Sequence, residues 1–120
     1  MREKIHEQER AAFTQQIIQK ENQLDKLREE KQKVERLLYQ LEEDFQRGYQ
    51  KLRMLNDENV KERQSDFFQI QQRMDDQERR FRQRVMDAKE QFASVFKKEI
   101  IQADDEREIL YKQRGEIPWD

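Results

Sequence analysis

The chain has one histidine, His6, and no cysteine among its 120 residues. His6-Glu7-Gln8-Glu9-Arg10 opens like a zinc-binding helix motif, but the second histidine of that motif is missing and position 10 is arginine. Adjacent carboxylates at Glu42 and Glu43, Asp75 and Asp76, and Asp104 and Asp105 have the right type for acid–base work. Such work needs a pocket that perturbs their pKa. In a chain that is 43% charged and 33% hydrophobic, these pairs read as a solvated face. There is no Gly-rich phosphate loop and no nucleophile motif. The expectation is therefore a protein with no catalytic residue, no metal and no cofactor. Arg79-Arg80-Phe81-Arg82-Gln83-Arg84 places an aromatic ring inside a basic run, a combination that can bind nucleic acid. Asp75, Asp76, Glu78 and Asp87 surround it, and the net charge is -2, so no nucleic-acid partner is expected.

The elements that position these residues follow from hydrophobic spacing. From Phe13, alternating steps of four and three reach Ile17, Lys20, Leu24, Leu27, Lys31, Val34, Leu38, Leu41, Phe45, Gly48, Leu52 and Leu55. Only Lys20, Lys31 and Gly48 on this seam are not apolar. A 3.5-residue repeat keeps one narrow stripe facing a partner helix, which is the coiled-coil signature. Lys20 and Lys31 can be read as snorkelling side chains or as polar residues that set register. With two Gly and one Pro, almost nothing interrupts a helix. No run approaches a membrane span, so no membrane insertion is expected.

The best break is Asn56-Asp57-Glu58-Asn59, because Asn and Asp favour turns and caps. Val60, Phe67, Met74, Phe81, Val85, Ala88, Phe92 and Val95 then continue the heptad phase, interrupted by Gln64, Gln71 and Glu78. The phase slips over Phe92, Phe96 and Ile100, whose spacings of four form a stutter. The fold class expected is all-α, an antiparallel two-helix coiled-coil hairpin. Helix one covers about 3–55, the turn about 56–59, helix two about 60–114, and an extended tail 115–120 follows a left-handed Gly115. Folding at 57–58 makes paired positions sum to about 115. Leu24 then faces Phe92, Leu27 faces Ala88, Val34 faces Phe81 and Leu41 faces Met74. Gly48 falls opposite Phe67, which gives the glycine a packing reason.

Near the termini the apolar stripe is wider than one seam requires. The surplus points to a covering partner, and Phe13, Ile17, Phe92, Phe96 and Ile100 are the expected partner-binding residues. Trp119, in Ile117-Pro118-Trp119-Asp120, either folds back onto the hairpin or anchors a partner.

A single hairpin of this length ending in Arg114-Gly115-Glu116-Ile117-Pro118-Trp119-Asp120 resembles the small helical-hairpin accessory proteins encoded with LXG toxins of Gram-positive type VII secretion systems. Those proteins are similar to the Trp-x-Gly hairpin family. The resemblance implies a targeting factor or chaperone that binds the helical N-terminal LXG domain of a toxin and supports its export. It also implies a second small hairpin on the same toxin, and a cytoplasmic location with co-export as the open alternative. The chain departs from the pattern at the turn, which has no Trp-x-Gly, and in the tail, which has no Tyr-x-x-x-Asp/Glu export motif. Tyr39-x-x-x-Glu43 matches that spacing only in mid-helix. The competing expectation is a self-associating coiled-coil scaffold or tether, as a homodimer of hairpins or a parallel rod.

Overall fold

The computed structural model describes the backbone of residues 2–60 and 64–119, and the side chains of 4–58 and 66–119. Two helices make up the fold, α1 over Arg2–Val60 and α2 over Gln64–Gly115. The protein is all-α, an antiparallel two-helix coiled-coil hairpin. Its contacts divide it into two compact units. The terminal unit comprises Met1–Gln32 with Ala93–Asp120, and the central unit comprises Lys33–Phe92. The expected seam positions Val60 and Gln64 have side chains outside the described residues, as does the last tail residue, Asp120.

The chain reversal expected at 56–59 is not there: α1 runs through it to Val60. The reason lies in Asn56. Its side chain is buried, and its Nδ2 donates to the Phe67 carbonyl oxygen at 2.9 Å and to Gln71 Oε1 at 3.0 Å. The asparagine ties α1 to the start of α2 instead of capping a new helix. The register moves with it. Lys20 meets Glu106 and Phe45 stacks on Phe81, so facing positions sum to 126, not to about 115. Phe81 therefore meets Phe45 rather than Val34, and Leu27 packs with Ala103 rather than Ala88.

In the terminal unit the seam is apolar. Leu24, Leu27 and Ala103 form the core, and Ile100 packs against it. Ile17 is also buried, at 3% exposure. Ala103 lets the two helices approach where Leu24, the most buried side chain, fills the space. The charged flanks close over this core. Lys20 Nζ donates to Glu106, Tyr111 Oη donates to Glu21 at 2.8 Å, and Arg114 Nη1 donates to Thr14 Oγ1 at 3.2 Å. Lys20 thus acts as a cross-helix partner, the register-setting reading of its seam position.

In the central unit the seam is largely polar. Glu78 is buried and accepts hydrogen bonds from Arg53 and, at 2.6 Å, from Arg82. Arg53 Nε also lies 3.5 Å from Asp75, whose carboxylate accepts a bond from Gln71 Nε2 at 3.0 Å. Through Gln71 the network reaches Asn56. Among the described residues of this unit, Val85 is the buried apolar side chain, at 4% exposure.

That network decides which face of α1 turns inward. A seam through Leu52 and Leu55 would take Arg53 away from the buried Glu78 and Asn56 away from Gln71, leaving those groups only their partners within α2, Arg82 and Asp75. Each buried polar group deprived of a partner in that way costs about 1–3 kcal/mol. α1 instead presents Glu42, Tyr49, Arg53 and Asn56, and Leu41, Leu52 and Leu55 lie exposed at 40%, 47% and 57%. Gly48 is exposed as well, and a Cβ added there would have no atom within 4 Å, so it does not make room for Phe67.

Gly115 closes α2 without a left-handed conformation. Glu116 N donates to the Lys112 and Gln113 carbonyls, and Ile117 N to the Arg114 carbonyl, so a tightened last turn ends the helix. The tail after it is turned rather than extended from residue 115.

Candidate partner-binding surfaces

The terminal unit holds five of the six expected contact residues. Ile17 belongs to the buried seam and offers no surface, which corrects its assignment. Ile100 is half-buried against the Leu24–Leu27–Ala103 core, so it too serves the hairpin first. Both sit on the stripe that faces α2, and a seam residue satisfied within the chain has little left for a partner. Phe13 and Phe96 are half-buried. Ile18, Val95, Ile101 and Ile109 are more exposed than any of these four. Phe92 belongs to the central unit and is 45% exposed.

Of the two readings of Trp119, the geometry bears on the fold-back. The tail does fold back: Ile117 is buried, and Arg10 Nη1 donates to the Pro118 carbonyl at 3.0 Å. The Arg10 guanidinium lies 3.9 Å from the Trp119 ring centroid, a cation–π contact. Yet the indole remains 82% exposed. Ile117 and Arg10 fix the backbone and one ring face, and the other face is presented to solvent. Trp119 is the only tryptophan, so its fluorescence reports this arrangement directly. Arg10→Ala is expected to lower Trp119 anisotropy and make the indole more accessible to a neutral quencher. Unchanged anisotropy would show that Ile117 alone holds the tail.

Two ties of the terminal unit titrate in opposite directions. The hydrogen bond to Glu21 raises the Tyr111 phenol above its ordinary 10.0. The Tyr111 contribution is complete below 10.0 and is lost as pH rises through the raised folded value. The Lys20 hydrogen bond, helped by Gln102, lowers Glu106 below its ordinary 4.5. Its contribution is complete above 4.5 and is lost as pH falls through the lowered folded value. Ultraviolet absorbance titration in a Tyr39→Phe background, which takes away the other raised phenol, is expected to show a late-ionising phenol that Tyr111→Phe removes. A titration curve that merely scales down in that variant would contradict the tie.

The residues that first suggested chemistry are engaged in structure. Glu42 binds Lys89 at 2.7 Å, Asp76 binds Arg79 at 2.9 Å, and Asp104 binds Arg107 at 2.5 Å. Phe81 of the basic run is stacked on Phe45 with centroids 3.7 Å apart. Tyr39 and Glu43 form a local pair one helical turn apart, which raises the phenol's pKa. Among the described residues, no group of three or more His, Asp or Glu could hold a metal ion. No helix among the described residues is long and apolar enough to cross a membrane.

The sequence reading missed the exposed face of the central unit. Leu41, Gly48, Leu52 and Leu55 keep heptad spacing but lie exposed, whereas Phe45 of the same row stacks on Phe81 of α2 and is only partly exposed, at 40%. With Asp44, Tyr49 and Gln77, part of this row lines an open apolar groove. The signal that could have found it was the polar content of the second seam. Gln71 and Glu78 call for polar partners, and only a rotated α1 supplies Arg53 and Asn56.

No family model, curated protein or solved structure matches the chain.

Proposed function

We propose that this hairpin is a non-enzymatic adaptor or chaperone that docks on the elongated helical LXG domain of a type VII secreted toxin and supports its export. The observation that carries the reading is Trp119: a large aromatic held out at 82% exposure by a tail that is itself anchored. Ordering an anchor before binding lowers the entropic cost of the complex, and tryptophan is enriched among residues that dominate interfaces. The half-exposed Phe13 and Phe96, with the neighbouring exposed aliphatics, supply apolar area. The mixed charges at Lys20, Glu106, Glu21 and Arg114 supply a polar rim. The toxin as partner rests on the resemblance of the Ile117-Pro118-Trp119 ending.

The test is co-purification of the full chain with the LXG protein encoded beside it. A stable complex is expected, weakened at least about tenfold by Trp119→Ala, as for an interface anchor. Failure to co-purify, with a toxin that is stable and exported in its absence, would overturn the reading.

A further inference from the structure

The leucine row of α1 is turned away from a surface of the same chain that matches it. We propose that the central unit is a charge-held switch. The ionised Glu78 network keeps the polar row of α1 inward, and removing the Glu78 charge lets α1 turn about its own axis and seat Leu41, Leu52 and Leu55 on α2.

Three observations carry this. First, the matching surface is present and in register. Read backwards, the inward residues of α2 are Val85, Phe81, Glu78, Met74 and Gln71, with steps of four, three, four and three. Val85 and Glu78 are buried and the others half-buried. Read forwards, Leu41, Phe45, Gly48, Leu52 and Leu55 take the same steps. Each pair of numbers sums to 126, as the hairpin already has it at Phe45–Phe81 and Lys20–Glu106. Leu41 is thus level with Val85, Leu52 with Met74 and Leu55 with Gln71, so neither helix has to slide. Second, the turn is small. Glu42, Tyr49, Arg53 and Asn56 each follow a member of the apolar row by one residue, roughly 100° around the helix. Phe45 already stacks on Phe81 and, like Leu41, is only 40% exposed, so the row starts from the edge of the seam. Third, Gly48 stands level with Glu78. A Cβ at Gly48 meets nothing within 4 Å in the present arrangement, and glycine weakens a helix interior. With α1 turned, the missing side chain leaves room for that of Glu78.

Charge decides between the two arrangements. Glu78 is faced by Arg53 from α1 and by Arg82 from its own helix. Asp75 lies beside Arg53, and Glu42, held by Lys89, lines the same recess with Tyr49. While Glu78 is ionised, turning Arg53 away leaves a buried carboxylate with one exposed arginine, which is unfavourable. Once Glu78 is neutral that penalty goes, Arg53 reaches solvent, and the leucines gain burial. Acidification to about pH 4, where carboxylates take up protons, supplies the same change.

Glu78→Gln removes the charge and keeps the shape. In that background Leu55→Ala is expected to lower the folding equilibrium constant at least about tenfold, against about twofold with Glu78 in place at neutral pH. At about pH 4 the chain with Glu78 in place should respond to Leu55→Ala as the glutamine variant does. The chain has no cysteine, so single thiols report the turn. With Glu78→Gln, a maleimide should label Leu55→Cys more slowly and Tyr49→Cys faster, with helical content by circular dichroism retained. Equal Leu55→Ala effects in the two backgrounds, or at the two pH values, would overturn the proposal and make the polar seam a fixed one. Faster labelling at both positions would also overturn it, because it marks separation of the helices rather than a turn.

Discussion

Leu24→Ala is expected to cost the hairpin about 3 kcal/mol and to lower its melting temperature by roughly 10 °C. Leu24 is 1% exposed and sits among Leu27, Ala103 and Ile100. Truncating a buried leucine removes transfer free energy and leaves a cavity that relaxes only in part. The terminal unit has few other fully buried apolar side chains to share the loss. Leu37→Ala is the control, because Leu37 is 69% exposed and should change stability by no more than ~0.5 kcal/mol. Thermal and urea unfolding followed by circular dichroism measure both. Equal effects would mean that the Leu24 core does not hold the terminal unit together.

Arg53→Ala is expected to destabilise the chain by about 2 kcal/mol, and Leu55→Ala by less than ~0.5 kcal/mol. Removing one partner of a buried ion pair costs about 3–5 kcal/mol when nothing replaces it. Here the figure is discounted because Arg53 is 41% exposed and Arg82 still holds the other Glu78 oxygen. Leu55 faces solvent and has little burial to lose. The order is the reverse of what the apolar repeat alone suggests, so a urea series on the two variants is decisive. A costlier Leu55 change would return the inner seam to the leucine row.

That contrast shows where the sequence was legible. The Phe13–Leu38 stretch has one apolar stripe and no competing polar one, so Ile17, Leu24 and Leu27 are buried as their spacing dictates. Over Phe92, Phe96 and Ile100 the gaps of four indicated burial only in part, since Phe96 and Ile100 are half-buried and Phe92 is 45% exposed. Past Leu38 two stripes compete on α1. The apolar one was the stronger signal in one dimension. The polar one prevails because hydrogen bonds must close between helices, and periodicity within one helix does not carry that information. Asn56 misled for a related reason. Its side chain bonds backbone in a cap or across a hairpin with equal chemistry, and only the position of Phe67 tells the two apart. At the terminal surface, Trp119 was flagged by its type. Its support by Arg10 was out of reach because 108 residues separate Arg10 from Pro118.

The polar ties beside the helix connection have a consequence for how the chain assembles. Asn56 and Gln71 are 15 residues apart, whereas Lys20 and Glu106 are 86 apart. Closing the longer loop first costs about 1.5 kcal/mol more in chain entropy. Zipping therefore starts beside the connection and travels outward. On a ribosome Leu24 and Leu27 emerge long before Ala103 exists to cover them, so α1 spends most of its synthesis with its greasiest stretch bare.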